Sequence, residues 1–506
     1  MNKLAHTESR TESRTESRTE SRTESRTESR TESRTESRTE SRTESRTERD
    51  YVGEVTIPGN KLYGVNTVRG IENLSISPLS IAHYPQFRDA FAQCKWAAAL
   101  ANRDNDVLTA QQCDAIVRAC QEVIEGGSDD SLIIDLLEGS GGTSTNMNFN
   151  EVIANRAQQH LGHPPGSYDV IHPNDHVNRS QSTNDVYPAA LKIATHAMLG
   201  PLVTEIEQLA SHFDAKATEF ANILHLGRTC LQDAQPMRLG QVFGGYASLT
   251  RRLAEELAAV RDKLRTLPLG GTAIGTGFGA PAGYRPAVYQ HLSSIAGVEY
   301  MAPSNPFDAM QNMDVFSRVS GELRTCAASL AKIASDLTVL SSGPVGGLGE
   351  LRLPEAQAGS SIMPGKVNPV LPMAMIQLSF AVVGNDVAVA QAVQYGELEI
   401  NHFEPVVASR VFDSIMLLTN GIQRFAQKCV AGITADIARN EQHLMDSMAM
   451  ATALVPKLGY ARVSKLARQS VAEGRPLLII LDESGLLAKD DTLVAIHKAS
   501  HPVFDV

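Results

Sequence analysis

The chain has 506 residues, a net charge of −11, and is 42% hydrophobic, 20% charged and 5% aromatic. Its length exceeds what one hydrophobic core supports and points to two to four domains, which excludes a small disulfide-stapled module, while the composition excludes a disordered or collagen-like chain. The acidic balance lacks the basic footprint of a nucleic-acid binder, and no run reaches the roughly 18 uninterrupted apolar residues of a membrane span.

The apolar run closest to a membrane span, Met373 to Val383, is broken by Gln377 and Ser379, so no bilayer crossing is expected. From Thr7 to Arg46 the chain repeats Thr-Glu-Ser-Arg ten times. The repeat has nothing apolar to bury, and on a helix its period of four stacks like charges, so a disordered tail over residues 1–49 is expected. Removing its ten Glu and ten Arg leaves 47 acids against 36 bases, so the acidity belongs to the remainder. The segment is neither a transit peptide nor a secretory signal. The six cysteines form no C-x-x-C pair and no zinc spacing, which fits a reducing compartment, the cytoplasm by default, and implies no structural metal.

Past a short polar stretch containing Tyr51 and Tyr63, residues 87–126 read as helices separated near Asp106. Val319, Leu323, Cys326, Leu330, Ile333, Leu337 and Leu340 alternate spacings of four and three, as a bundle seam does. Tyr246, Leu249, Leu253, Leu257, Val260, Leu264 and Leu267 repeat nearly the same pattern. Two long helices are therefore expected to pack on each other in an elongated all-α core, and a bundle this long often buries its seam against other subunits. About thirty glycine-rich residues follow the seam helix, and Ser360, Ser361, Lys366 and Asn368 among them favour a ligand-wrapping lid over a plain linker.

Four segments carry chemical content. Gly139-Ser-Gly-Gly-Thr-Ser-Thr-Asn-Met-Asn-Phe-Asn-Glu151 enters a helix whose free N–H groups suit a carboxylate, with ordinary Ser/Thr capping as the plain alternative. In the run from His172 to Asp185, the donors Ser182, Thr183 and Asn184 suit an oxygen-rich ligand or simply a turn before a helix. Pro173 argues against a helical His172/His176 metal pair. The others are Gly227-Arg-Thr-Cys-Leu-Gln-Asp-Ala-Gln-Pro236 and Gly359-Ser-Ser-Ile-Met-Pro-Gly-Lys-Val-Asn-Pro369. The stretch 270–279 follows no strand and spells no G-x-G-x-x-G, so it is weak support for a dinucleotide. Hydroxyls, amides and one lysine, without paired acids or a cofactor cradle, suit a dicarboxylate.

These four segments, above all Gly359–Pro369, resemble the aspartase/fumarase superfamily, and the resemblance covers the chain from Tyr51 to about Pro502. It implies three largely helical domains, here residues 50–184, a central long-helix bundle over 185–439 with a lid loop at 350–370, and a small helical domain over 440–506. It also implies a homotetramer whose active sites are shared between subunits. Tyr63–Asn73, Gly142–Asn146, Gln181–Pro188 and Asn401–Pro405 are similar to aspartate ammonia-lyases more than to class II fumarases. Cys230 stands where the former carry Gln or His and the latter His.

The activity so implied is that of a carbon–nitrogen lyase that reversibly deaminates L-aspartate to fumarate and ammonia. Ser360 would be the base, with Thr143, Ser182, Thr183 and Thr229 as donors to the enediolate and Cys230 beside them. Ser361, Lys366 and Asn368 would be further substrate ligands, and Asn184 would hold the amino group. No cofactor is chemically needed, because the substrate carries both carboxylates. Fumarate hydration, a lyase acting on a substituted aspartate, and a catalytically silent helical scaffold are the alternatives.

Overall fold

The computed structural model describes residues 45–501 of the chain; the repeat up to residue 44 lies outside it. Where the sequence breaks near Asp106, two helices meet, Pro85–Asp104 and Ala110–Ile124, with Asp106 itself at φ 59°. Pro85 fits the first helical position because it needs no N–H partner there. Thr109 caps the second helix by accepting from the Gln112 N–H at 3.2 Å.

Five long helices form the bundle: Thr183–Glu219, Leu239–Lys263, Asp314–Leu340, Val370–Gln394 and Glu404–Lys428. The first is buried on almost every side over its N-terminal half, from Asp185 to Leu199, with only Ala197 exposed, as a helix packed on all faces must be. The two predicted stripes do meet, through Tyr246, whose hydroxyl donates to Asp336 at 2.8 Å with the Lys332 ammonium over its ring. Each packs more extensively on another neighbour, however: Leu239–Lys263 on Thr183–Glu219, and Asp314–Leu340 on Val370–Gln394. Leu264 and Leu267 are buried yet lie past the end of their helix, on the turn that leads out of it.

The helices run alternately up and down, so the chain reverses at two ends. One end holds the entries to Thr183–Glu219 and Glu404–Lys428 and the glycine-rich 270–279 turn; the other holds the Leu224–Thr229/Gln232–Arg238 hairpin and the 341–369 loop. Phe87, Phe91, Phe149, Tyr187 and Phe412 lock the first end together, with Phe91 stacked on Phe149 at 4.6 Å. At the second end Leu224 and Leu226 of the hairpin share a separate core with Leu444, Met450, Leu454, Leu477, Ile480, Leu481 and Ile496 of the five short C-terminal helices.

Residues 45–49, the end of the expected disordered tail, instead form a strand paired with Glu54–Pro58. Apolar burial is not what holds it. Arg46 donates to the Lys61 carbonyl at 2.7 Å and the Tyr63 carbonyl at 2.6 Å, while buried Glu48 accepts from the Val65 N–H at 3.0 Å and the Tyr168 hydroxyl at 3.1 Å. Composition is blind to such pairings.

Candidate active site

At the first end, Gly142 turns the chain into the Thr143–His160 helix with φ 89°, a conformation that disfavours a side chain, and a Cβ there would lie 2.4 Å from the Tyr187 ring. The N–H groups of this helix are not free for a ligand, as the sequence suggested. The Glu138 carboxylate accepts from Ser144 N and Thr145 N, both at 3.0 Å, so the chain supplies its own anion. Thr143 remains exposed beside this cap, and only its side chain is offered to a ligand.

Ser182 caps the next long helix. Its hydroxyl accepts from Asn184 N at 3.2 Å, and its own N–H donates to Asp185 at 2.9 Å. The buried Asp185 carboxylate also accepts from Gly270 N and Thr272 N at 3.0 Å, so the glycine-rich turn clamps this helix start. Thr183 Oγ1 accepts from Asn146 Nδ2 at 3.0 Å, and Asn184 Nδ2 donates to the Ala273 carbonyl at 2.8 Å. The Ser182 and Thr183 hydroxyls thus each accept from the protein and keep a proton for a ligand. His172 caps the single helical turn Pro173–Val177 that carries His176: His172 Nδ1 accepts from Asn174 N and Asp175 N, and His176 Nδ1 from His172 N.

At the second end, Thr229 and Cys230 form the exposed tip of the hairpin, with Cys230 and Leu231 at φ 53° and 61°. Just before the tip, Arg228 grips Glu350 with two bonds of 2.9 and 2.6 Å, and His443 Nδ1 lies 2.6 Å from the same carboxylate. Burial alone would raise the Glu350 carboxyl, but Arg228 and His443 hold it below the usual range. Hairpin, lid root and C-terminal helices are therefore tied at one buried point, since Leu351–Arg352 also pairs with Thr434–Ala435.

Beyond that root the lid is pinched shut by Gly359 N donating to the Lys366 carbonyl and Asn368 Nδ2 to the Gly359 carbonyl, both at 2.7 Å. Ser360 Oγ accepts from the N–H groups of Ile362 at 3.2 Å and Met363 at 3.1 Å. Ser361 and Lys366 project from the same loop into solvent, as does Ile362 at 84% exposure.

The structure thus groups Thr143, Ser182, Thr183 and Asn184 at one end of the bundle, and Thr229, Cys230, Ser360, Ser361, Lys366 and Asn368 at the other. The 37-residue Thr183–Glu219 helix separates the two ends by about 55 Å. Arg228 stood inside a segment already singled out, but Glu350 and His443 carry no local pattern that joins them to it. Lys95 and Asp185 were also missed, although a lysine among Phe91, Ala98 and Asn102 on one helical face was a visible signal.

The Lyase family matches residues 53–384 of this chain. Aspartate ammonia-lyase of Helicobacter pylori (strain J99) is 43% identical over 441 residues, covering 87% of this chain and 94% of that protein. Aspartate ammonia-lyase of Bacillus subtilis (strain 168) is 40% identical over 443 residues, covering 88% and 93%. Among solved structures, a fumarate lyase:delta crystallin from Brucella melitensis bound to cobalt superposes with a TM-score of 0.88 at 42% identity, covering 90% of this chain and 100% of that one. Class II fumarase from Schistosoma mansoni gives 0.85 at 29% identity, covering 91% and 100%. The chain belongs to the Lyase family, within the aspartase/fumarase superfamily. It is a carbon–nitrogen lyase of the aspartase type.

Proposed function

We propose that this enzyme deaminates L-aspartate reversibly to fumarate and ammonia by anti elimination, with Ser360 as the base. The observation that carries the proposal is the pair of backbone N–H groups on Ser360 Oγ. A serine hydroxyl is a feeble base unless its anion is stabilised, and two fixed N–H donors with the Lys366 ammonium on the same loop supply that stabilisation. Removal of the C3 proton places a second negative charge on the neighbouring carboxylate. Thr143, Ser182, Thr183 and Thr229 meet that charge, with Cys230 beside them, while Lys366 and Asn368 hold the other carboxylate, Asn184 holds the amino group, and Ser361 is a further substrate ligand.

Two groups of ligands about 55 Å apart cannot bind one small molecule, so the site is assembled from several copies of the chain in a homotetramer. The Val370–Gln394 helix supports this. It is apolar and long enough for a membrane span by length and composition, yet most of it is not buried inside the chain. Bundle neighbours cover one side, and Phe380 and Val387 remain 70% and 59% exposed on another, a face suited to further copies. The six cysteines are free thiols, which supports a cytoplasmic location.

The test is to follow fumarate absorbance while supplying L-aspartate, malate and argininosuccinate separately. L-Aspartate alone is expected to yield fumarate; formation from malate alone would make the enzyme a fumarase.

A further inference from the structure

The mechanism above uses nothing from the Pro85–Asp104 helix, yet that helix carries a lysine into the protein interior behind the Ser182–Thr183 hydroxyls. Lys95 has no solvent exposure. Its ammonium donates to Oδ1 of Asn146 at 2.7 Å and to Oδ1 of Asn178 at 3.1 Å. An ammonium can only donate, so Asn146 must turn its oxygen toward Lys95 and its Nδ2 the other way. That Nδ2 donates to Asn178 at 3.1 Å and to Thr183 Oγ1 at 3.0 Å. Thr183 therefore accepts on its protein side, and its single proton is left for a ligand.

We propose that Lys95 is a positioning residue for the dicarboxylate: its charge fixes the Asn146 amide, which makes the Thr183 hydroxyl a donor to the developing enediolate and sets a buried positive charge behind it. The inference rests on the dicarboxylate reading above. A neutral amine can accept as well as donate, so loss of the proton frees Asn146 to invert and removes the charge together.

The groups facing Lys95 are few. Asp185 faces it from the Thr183–Glu219 helix, Cys120 from the Ala110–Ile124 helix, and Cys94 from its own helix. Tyr284 and Tyr289, on the helix packed alongside, face Asp185 and Cys94. Burial pushes Cys94 up to about 12, and it raises Cys120 and both tyrosines as well, so these stay neutral near pH 7. Burial lowers Lys95 to about 7, opposed by Asp185, and raises Asp185 to about 6 against its backbone hydrogen bonds and Lys95. A dianion bound in front of Lys95 favours its protonated form, so binding above neutrality must take up a proton.

Calorimetric titration of the wild-type enzyme with succinate, in buffers of low and high ionisation enthalpy, reads that proton directly. About one proton taken up per succinate at about pH 8 is expected; no uptake at about pH 8 overturns the role of Lys95. With L-aspartate, wild-type kcat/KM is expected to fall about tenfold per pH unit on the alkaline side. Lys95→Met should lose about 10- to 100-fold on the acid side and run flat through that limb. A uniform loss that keeps the wild-type limb overturns the proposal, as does an alkaline limb unmoved by Asp185→Asn, which removes the opposing charge and should shift it to lower pH. If succinate fails to bind and L-aspartate is not turned over at any pH, the dicarboxylate reading falls and this inference falls with it; turnover without the proton linkage overturns the lysine's role alone.

Discussion

The two ends of the bundle hold their polar groups in opposite ways. Around Ser182 the hydroxyls and amides already have protein partners, and a stacked aromatic cluster and a buried lysine lie behind them. In the lid, Ser361 and Lys366 stand in solvent, and the loop is shaped by its own backbone pinch between Gly359 and Asn368. The difference matches the demands of the proposed elimination. Donors that stabilise developing charge must not reorganise during the reaction, so they belong in a rigid core; a base that seals the site after the ligand enters belongs on a loop.

The comparison is broken first at the lid. Ser360→Ala is expected to lower kcat by about a thousandfold or more while leaving thermal unfolding unchanged, because its hydroxyl bonds only within the loop. Ammonia release at near the wild-type rate would reduce the lid to a passive cover. At the lid root the effect moves to stability. Glu350→Ala strands Arg228 beside His443 and is expected to cost about 3–5 kcal/mol in denaturant unfolding.

The pH dependence at this root has a definite sign. Arg228 and His443 outweigh burial and hold the Glu350 carboxyl low in the folded state, so its contribution is present above the ordinary glutamate range and is lost as pH falls through the folded value. Wild-type stability should therefore decline more steeply on acidification than that of Glu350→Gln; parallel curves would show that the carboxylate is not the titrating group. At the rigid end, Gly142→Ala drives a Cβ into the Tyr187 ring at φ 89° and is expected to cost about 1–3 kcal/mol. Unchanged stability there would mean that the helix entry yields as readily as the lid.

What the sequence made legible was local. The seven-residue seam on Asp314–Leu340, the break at Asp106 and the glycine-rich loop between two helices are set by neighbours a few positions apart, and each lies where the pattern put it. The candidate residues were legible as polar, glycine-flanked segments and their individual roles only through resemblance, while their division between two ends was not legible from any local pattern, because it follows from the length of the intervening helix. Long-range polar pairs were missed for a physical reason. Lys95 meets Asn146 and Arg228 meets Glu350 only after the chain has folded back on itself, and a hydrogen bond between distant residues leaves no periodicity. The strand carrying Arg46 and Glu48 escaped in the same way, since its side chains bond to Lys61, Tyr63 and Tyr168.

The smallest effect lies at the hairpin tip, which belongs to neither regime. Cys230 and Leu231 both sit in the left-handed region, where a two-residue hairpin turn needs them but side chains are disfavoured, and the thiol is exposed. Replacing one side chain with another leaves that backbone cost unchanged, so Cys230→His or Cys230→Gln should alter unfolding by less than about 0.5 kcal/mol. A thiol is a weak hydrogen-bond donor, and an imidazole or amide adds roughly one ordinary bond, so KM for L-aspartate should fall by about three- to tenfold with kcat little changed. An unaltered KM would remove Cys230 from the ligand set, leaving Thr229 as the hairpin's contribution. A fall in kcat alone would mean that the tip acts on the transition state, and would class it with the rigid donors at the far end of the bundle.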